Sequence, residues 1–190
     1  MTTPNHATLL INTQTAAMLT GKTSRTITNW LETGVIQGES VRAGHLPQGQ
    51  LWQVDISSMA AHIPAELTDE FLESVKKAES GDAQETTNVG VQLYKAGSQK
   101  IALDWFELAA KRGNADAMEW LWDSYYYGRG TESNYAVAVQ WLGKAAEHGS
   151  MIAKATLNNL HKINKALEEQ GKEAMNAIRR DIWEMIKPKE

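Results

Sequence analysis

Residues 102–121 read ALDWFELAAKRGNADAMEWL, and residues 138–157 read AVQWLGKAAEHGSMIAKATL. Seven positions match at a spacing of 36: Ala102, Trp105, Ala109, Ala110, Gly113, Ala117 and Leu121 recur as Ala138, Trp141, Ala145, Ala146, Gly149, Ala153 and Leu157. A period in the thirties with small residues where helices cross is what a two-helix repeat needs, because each hairpin buries its apolar face only against its neighbours. Upstream, Gly81, Val89 and Tyr94 stand 32 residues before Gly113, Leu121 and Tyr126, a shift that a shorter interhelical loop accounts for. Downstream the pattern fades, with His161 and Lys162 where Tyr125 and Tyr126 stood, as expected of a terminal repeat with a polar outer face.

The flanks follow from the same reading. Residues 65–80 predict a linker helix, with Thr68 as cap, Asp69 and Glu70 in the first turn, Phe71, Leu72 and Val75 as its apolar face, and Lys76 and Lys77 near its end. At the other end, Ala174, Ile178, Ile182, Met185 and Ile186 form an i, i+4 stripe on a closing helix. Its apolar face either caps the last hairpin, the favoured arrangement, or pairs with a second copy of the chain.

Ahead of the repeats the pattern changes. Thr13–Thr20 predicts a short helix capped by Asn12 or Thr13 and ended by Gly21, with Ala16 and Ala17 small enough for close approach of another helix. Ser24 is then expected to cap a second helix, whose apolar Ile27, Trp30 and Leu31 recur at i, i+3, i+4 before Gly34. Two short helices around a glycine-containing turn make a helix-turn-helix. Beyond Ile36 the period becomes two: Val41–Ala43 leads to a Gly/Pro-rich tip at 44–49, and Trp52, Val54 and Ile56 share one face of a strand, which together form a hairpin. Asp55 or Ser57 can cap a short helix ending at Pro64. Gly21-Lys22-Thr23 ends like a phosphate-binding loop, but Ala16 stands where that loop needs its first glycine.

The string TAAMLTGKTSRTITNWLETGVI, a hairpin, and then VDISSMAAHI resemble the winged helix-turn-helix of the MerR and excisionase groups. That resemblance implies a DNA-binding domain over residues 8–64, with Lys22, Ser24, Arg25, Thr26, Thr28 and Asn29 at the DNA-facing turn and recognition helix and Arg42 and His45 in the wing. Arg25 suits guanine, Asn29 suits adenine, and the hydroxyls suit phosphates or base edges. The pattern A-x-x-W-hydrophobic-x-x-A-A-x-x-G-x-x-x-A, with YYYGRG closing a helix, resembles the Sel-one-like repeats, short relatives of tetratricopeptide repeats. It implies an α-solenoid over 81–190 that holds a protein partner or a second copy. The fold expected is thus mainly α, a winged helix-turn-helix with a small β-hairpin wing followed by an α-solenoid of helical-hairpin repeats.

Residues 1–64 hold Lys22, Arg25 and Arg42 against Glu32, Glu39 and Asp55, so the remainder carries the whole formal charge of −4. Phosphate neutralisation supplies most non-specific DNA affinity, so one such domain would bind double-stranded DNA weakly; a homodimer on an inverted-repeat site is expected. With no cysteine, thiolate metal sites and disulfides are excluded. The histidines at 6, 45, 62, 148 and 161 have no metal-like spacing, and no nucleophile elbow or paired acids point to catalysis. No cofactor, metal, membrane span or enzymatic activity is therefore expected, and the reading is of a cytoplasmic bacterial protein.

Trp105 and Trp141 occupy matching repeat positions and read as packing. Trp122 differs, since Gly90 and Asn158 stand at its equivalents. With Tyr127 and Arg129 nearby it is the candidate partner-binding anchor. The function expected is a dimeric, sequence-specific transcription regulator with a repeat domain for protein interaction. Alternatives are a repeat-based scaffold whose winged helix docks protein, and an excisionase-like architectural factor.

Overall fold

The computed structural model describes residues 9–42 and 50–186. A short strand, β1 (Leu10–Asn12), leads into α1 (Thr13–Thr20) and α2 (Ser24–Glu32), then an antiparallel pair, β2 (Gly38–Arg42) and β3 (Gln50–Asp55), and a 3-10 helix, Ile56–His62. Six helices follow: α3 (Asp69–Glu79), α4 (Ala83–Lys95), α5 (Gln99–Lys111), α6 (Ala115–Tyr127), α7 (Tyr135–Glu147) and α8 (Met151–Ile186).

Asn12 caps α1 by accepting from the Thr15 N–H at 2.8 Å, and Gly21 ends it at φ 63°. Thr23, and not Ser24, caps α2: its backbone is extended and its hydroxyl accepts from the Thr26 N–H at 3.2 Å, which makes Ser24 the first helical residue. Asp55 caps the 3-10 helix through the Ser57 N–H at 2.9 Å. The sheet has the order β1-β3-β2, with Ile11 opposite Val54 and both buried. At three residues β1 is too short to show a period-two pattern, so the sequence marked it only as an apolar stretch.

The repeats share one turn. Gly81, Gly113 and Gly149 adopt φ 101°, 87° and 99°, in the left-handed region where a side chain is strained. A capping residue follows each. Asp82, Asn114 and Ser150 accept from the N–H groups of Glu85, Ala117 and Ala153 at 2.9, 2.8 and 2.9 Å. The drop from a 36-residue to a 32-residue offset lies in the other connections, since residues 96–98 join α4 to α5 whereas residues 128–134 join α6 to α7.

α3 is more than a linker. It packs on α4, Ser74 Oγ donates to Glu85 Oε2 at 2.9 Å, and Arg112, just past the end of α5, donates to the Ala78 carbonyl at 2.7 Å. It also ties in the N-terminal unit, because the Asn12 N–H donates to Glu79 Oε1 at 2.7 Å. One hydrophobic core runs from Ile11 through Phe71 and Phe106 to Ala153. The closing helix is not a separate element but continuous with the helix that starts at Met151. α8 is one helix of 36 residues that continues past the last hairpin, and Ile178 on it is 52% exposed. Ala, Leu, Lys, Glu and Gln dominate its middle, and Gly171 alone does not break it.

Gly90 and Gly143 are both helical but differ in surroundings. A methyl on Gly90 would stand 2.6 Å from Phe106 Cε1, whereas one on Gly143 meets nothing within 4 Å. Gly90→Ala is expected to destabilise the chain by about 1–3 kcal/mol through overpacking, and Gly143→Ala to stabilise it by about 0.5–1 kcal/mol, both read from urea midpoints.

Glu85 supplies a second check. Hydrogen bonds from Asn88 and Ser74, with Lys77 nearby, hold its carboxyl below the ordinary value of 4.5 despite some burial. A depressed carboxylate adds stability above its unfolded pKa and loses it as pH falls through the folded one. The array should therefore weaken as pH drops below about 4.5, and Glu85→Gln should flatten that acid limb in a pH series of urea melts.

Candidate functional site

α4 and α6 occupy the same place in successive repeats, and the outer face they share is built from equivalent positions. On α4 these are Gln84, Thr87, Asn88 and Val91; 32 residues on, α6 presents Asp116, Glu119, Trp120 and Asp123. Together with Trp122 and Arg129 they line a groove of about 510 Å³. That volume lies within the range of ligand-binding clefts. The spacing i, i+3, i+4, i+7 puts each set on one side of its helix.

The two walls are locked together. Asn114, the cap of α6, accepts from Thr87 Oγ1 at 3.0 Å and donates to Gln84 Oε1 at 2.8 Å. Beneath them Phe106 of α5 stacks on Trp120 with centroids 5.3 Å apart and planes 9° apart, while Tyr94 of α4 meets the same indole at 5.1 Å. Glu119 accepts a hydrogen bond from Ser150 Oγ, which fixes α6 to the start of α8.

Trp122 is half-buried, and its ring lies 5.8 Å from that of Tyr126. Arg129 donates to Asp123 Oδ2 at 2.6 Å and lies over the Tyr127 ring at 4.6 Å. The hydrogen bond and charge of Asp123, with a smaller contribution from Tyr94, hold the guanidinium still more firmly protonated than usual. Two glycines bring Arg129 here. Gly128 ends α6 at φ 73°, and Gly130, at φ 78°, sits so close to the Gln99 carbonyl at the head of α5 that a side chain would collide with it. Tyr126, Tyr127 and Tyr135 form an exposed aromatic patch beside the groove, with Tyr127 57% exposed.

The structure thus brings Trp122 and Arg129 into one groove and sets Tyr127 at its edge. At the equivalent position of α4, Gly90 is itself constrained, because Phe106 lies against it. Sequence reasoning missed Trp120, Asp116 and Glu119. A signal for them existed, since Asn88, Gln84 and Thr87 stand at their upstream equivalents and Thr156, Ile152 and Ala155 at the downstream ones. Residues that change from repeat to repeat on one helix face are those the common packing does not dictate.

The residues assigned to DNA lie elsewhere, on the turn after α1 and on α2. Lys22, Ser24, Arg25 and Asn29 are exposed. The hydroxyl of Thr26 bonds that of Thr23 at 3.0 Å, and that of Thr28 donates to the Ser24 carbonyl at 3.0 Å, so both are engaged within α2. Arg42 ends β2 opposite Gln50, its side chain outside the described part, and His45 lies outside the described residues. His62 stacks on Trp30 with centroids 4.5 Å apart, a packing role. Among the described residues no cluster of three or more His, Asp or Glu could hold a metal ion, and no helix is long and apolar enough to cross a membrane.

Residues 89–114 and 116–150 match the family model of the Sel1 repeat. The matched units meet at the α5–α6 turn, so each pairs the latter part or nearly the whole of one groove helix with the helix that follows it. No curated protein matches the chain. Similar solved structures include a protective antigen present in uropathogenic Escherichia coli strains displaying an SLR fold, at 28% identity over 50% of this chain and 21% of that one, TM-score 0.45. Another is a Sel1 repeat protein from Oxalobacter formigenes, at 26% identity over 50% of this chain and 40% of that one, TM-score 0.44. The aligned half of this chain covers 21% and 40% of the length of those two proteins.

Phe106 sets the spacing of the groove walls. Phe106→Ala is expected to cost about 3–5 kcal/mol in urea unfolding and to reduce the near-ultraviolet dichroism contributed by the stacked Trp120. An unchanged near-ultraviolet spectrum would mean that the stack does not hold the wall.

Proposed function

We propose that this chain is a scaffold whose Sel1 repeats hold a protein partner in the groove between α4 and α6, with Trp122 as anchor and Tyr127 and Arg129 at the rim. The observation that carries this reading is the groove itself. Its walls are repeat-equivalent helix faces, yet Gln84, Thr87, Asn88 and Val91 of α4 give way to Asp116, Glu119, Trp120 and Asp123 on α6. Half-buried Trp and Arg with exposed Tyr is the composition of binding hot spots, where a few anchors carry most of the energy. The array supplies the surface and no chemistry of its own.

A second reading has its own observation. The described residues between 9 and 63 form two helices around a short turn followed by an antiparallel strand pair, with Lys22, Arg25 and Asn29 all exposed along the turn and second helix. We read this unit as a winged helix, and in that reading two copies contact one duplex. The zero net charge of residues 1–64 weighs against strong DNA affinity. Residues on different elements separate the two readings. Co-purification of a partner from cells should be lost in Trp122→Ala/Tyr127→Ala and retained in Arg25→Ala/Asn29→Ala. Selection from random duplexes at low salt, with light scattering for oligomeric state, tests the other arm: enrichment of an inverted repeat that depends on Arg25 would establish DNA reading.

A further inference from the structure

The groove carries three carboxylates, Asp116, Glu119 and Asp123, against one guanidinium, Arg129. Arg129 is already paired with Asp123 at 2.6 Å, so three negative charges less one positive leave a net of −2, located on Asp116 and Glu119. Among the described residues no lysine lines the groove, and the α4 wall offers the neutral amides of Gln84 and Asn88, the Thr87 hydroxyl being buried and bonded to Asn114. Asp116 sits in the first turn of α6, at the positive end of the helix dipole. Val91, Trp120 and Trp122 supply apolar surface between the charges, and low-dielectric walls strengthen the field that a cleft of one sign directs at a partner.

We propose that the occupant is a short basic segment of another protein, with one apolar or aromatic side chain seated against Val91 and Trp122 and lysine or arginine side chains reaching Asp116 and Glu119. This rests on the scaffold reading and adds the partner's chemistry to it. Charge complementarity decides between occupants: an acidic or phosphorylated segment would meet two unneutralised carboxylates, and nucleic acid is repelled for the same reason. A neutral apolar segment would leave those carboxylates partly desolvated without a counter-charge.

The test uses the full chain, immobilised, and a displayed library of random short peptides, followed by fluorescence anisotropy of the best synthetic peptide. Enriched peptides are expected to carry net positive charge with an apolar anchor, and to bind more weakly as salt rises. Asp116→Asn/Glu119→Gln should weaken the best peptide about tenfold, and Trp122→Ala at least as much, about 1.4 kcal/mol each. Because Glu119 also bonds Ser150, the exposed Asp116→Asn alone serves as a second variant and should weaken binding with little shift of the urea midpoint. Enrichment of neutral or acidic peptides that still need Trp122 would overturn the charge inference and leave the docking groove standing. Basic peptides indifferent to all three variants would overturn the groove as the site, and no enrichment at low salt would overturn both. A change in light scattering with copy number, competing with the peptide, would replace the foreign partner by a second copy of this chain.

Discussion

The ring of Phe106 is the spacer on which the array is built. One side of it meets Gly90 of α4 so closely that an added methyl would collide, and the other stacks on Trp120 of α6. A rigid ring held between two outer helices fixes their separation, and tightly packed interiors do not deform continuously to absorb a change. Both the closeness of α4 to α5 and the opening between α4 and α6 follow from it. Glycine at position 90 and tryptophan at position 122 are thus two answers to the same repeat position: the first lets a ring in, the second helps to line the groove.

Repeats that bury their faces only against neighbours must be covered at their ends. Here the N-terminal side is covered by α3 and by the small unit before it. α1 packs on α5, with Gly21 beside Ile101, and the Asn12–Glu79 hydrogen bond joins the sheet to α3. The hydrophobic core is consequently continuous across what the sequence divides into separate segments. Whatever the N-terminal unit binds, it is mechanically part of the array. At the other end α8 runs on beyond the contacts with α7, a continuation that strong helix formers sustain.

Much of this was legible in the residues. The seven-fold match at a spacing of 36 located the repeats, and the Sel1 repeat match over 89–114 and 116–150 falls within them. Trp122, Tyr127 and Arg129 were found because they break or flank the repeat, and the structure gathers them at one groove. Other features could not be read. Thr23 and Ser24 are both good caps one residue apart, and the turn after Gly21 selects between them. β1 exists only because β3 pairs with it.

The sequence by itself determined what is local and periodic: helix starts set by capping side chains, turns set by glycines at 81, 113 and 149, and small residues where helices cross. Tertiary structure alone decided what depends on distance between elements far apart in the chain. That Asn114 would bind Thr87 and Gln84, that Arg129 would pair with Asp123 beneath no other cation in the groove, and that α8 would run on as a single helix are outcomes of packing geometry. Periodicity constrains which face of a helix is buried; the side chains on the remaining faces acquire partners only when the array brings them within reach.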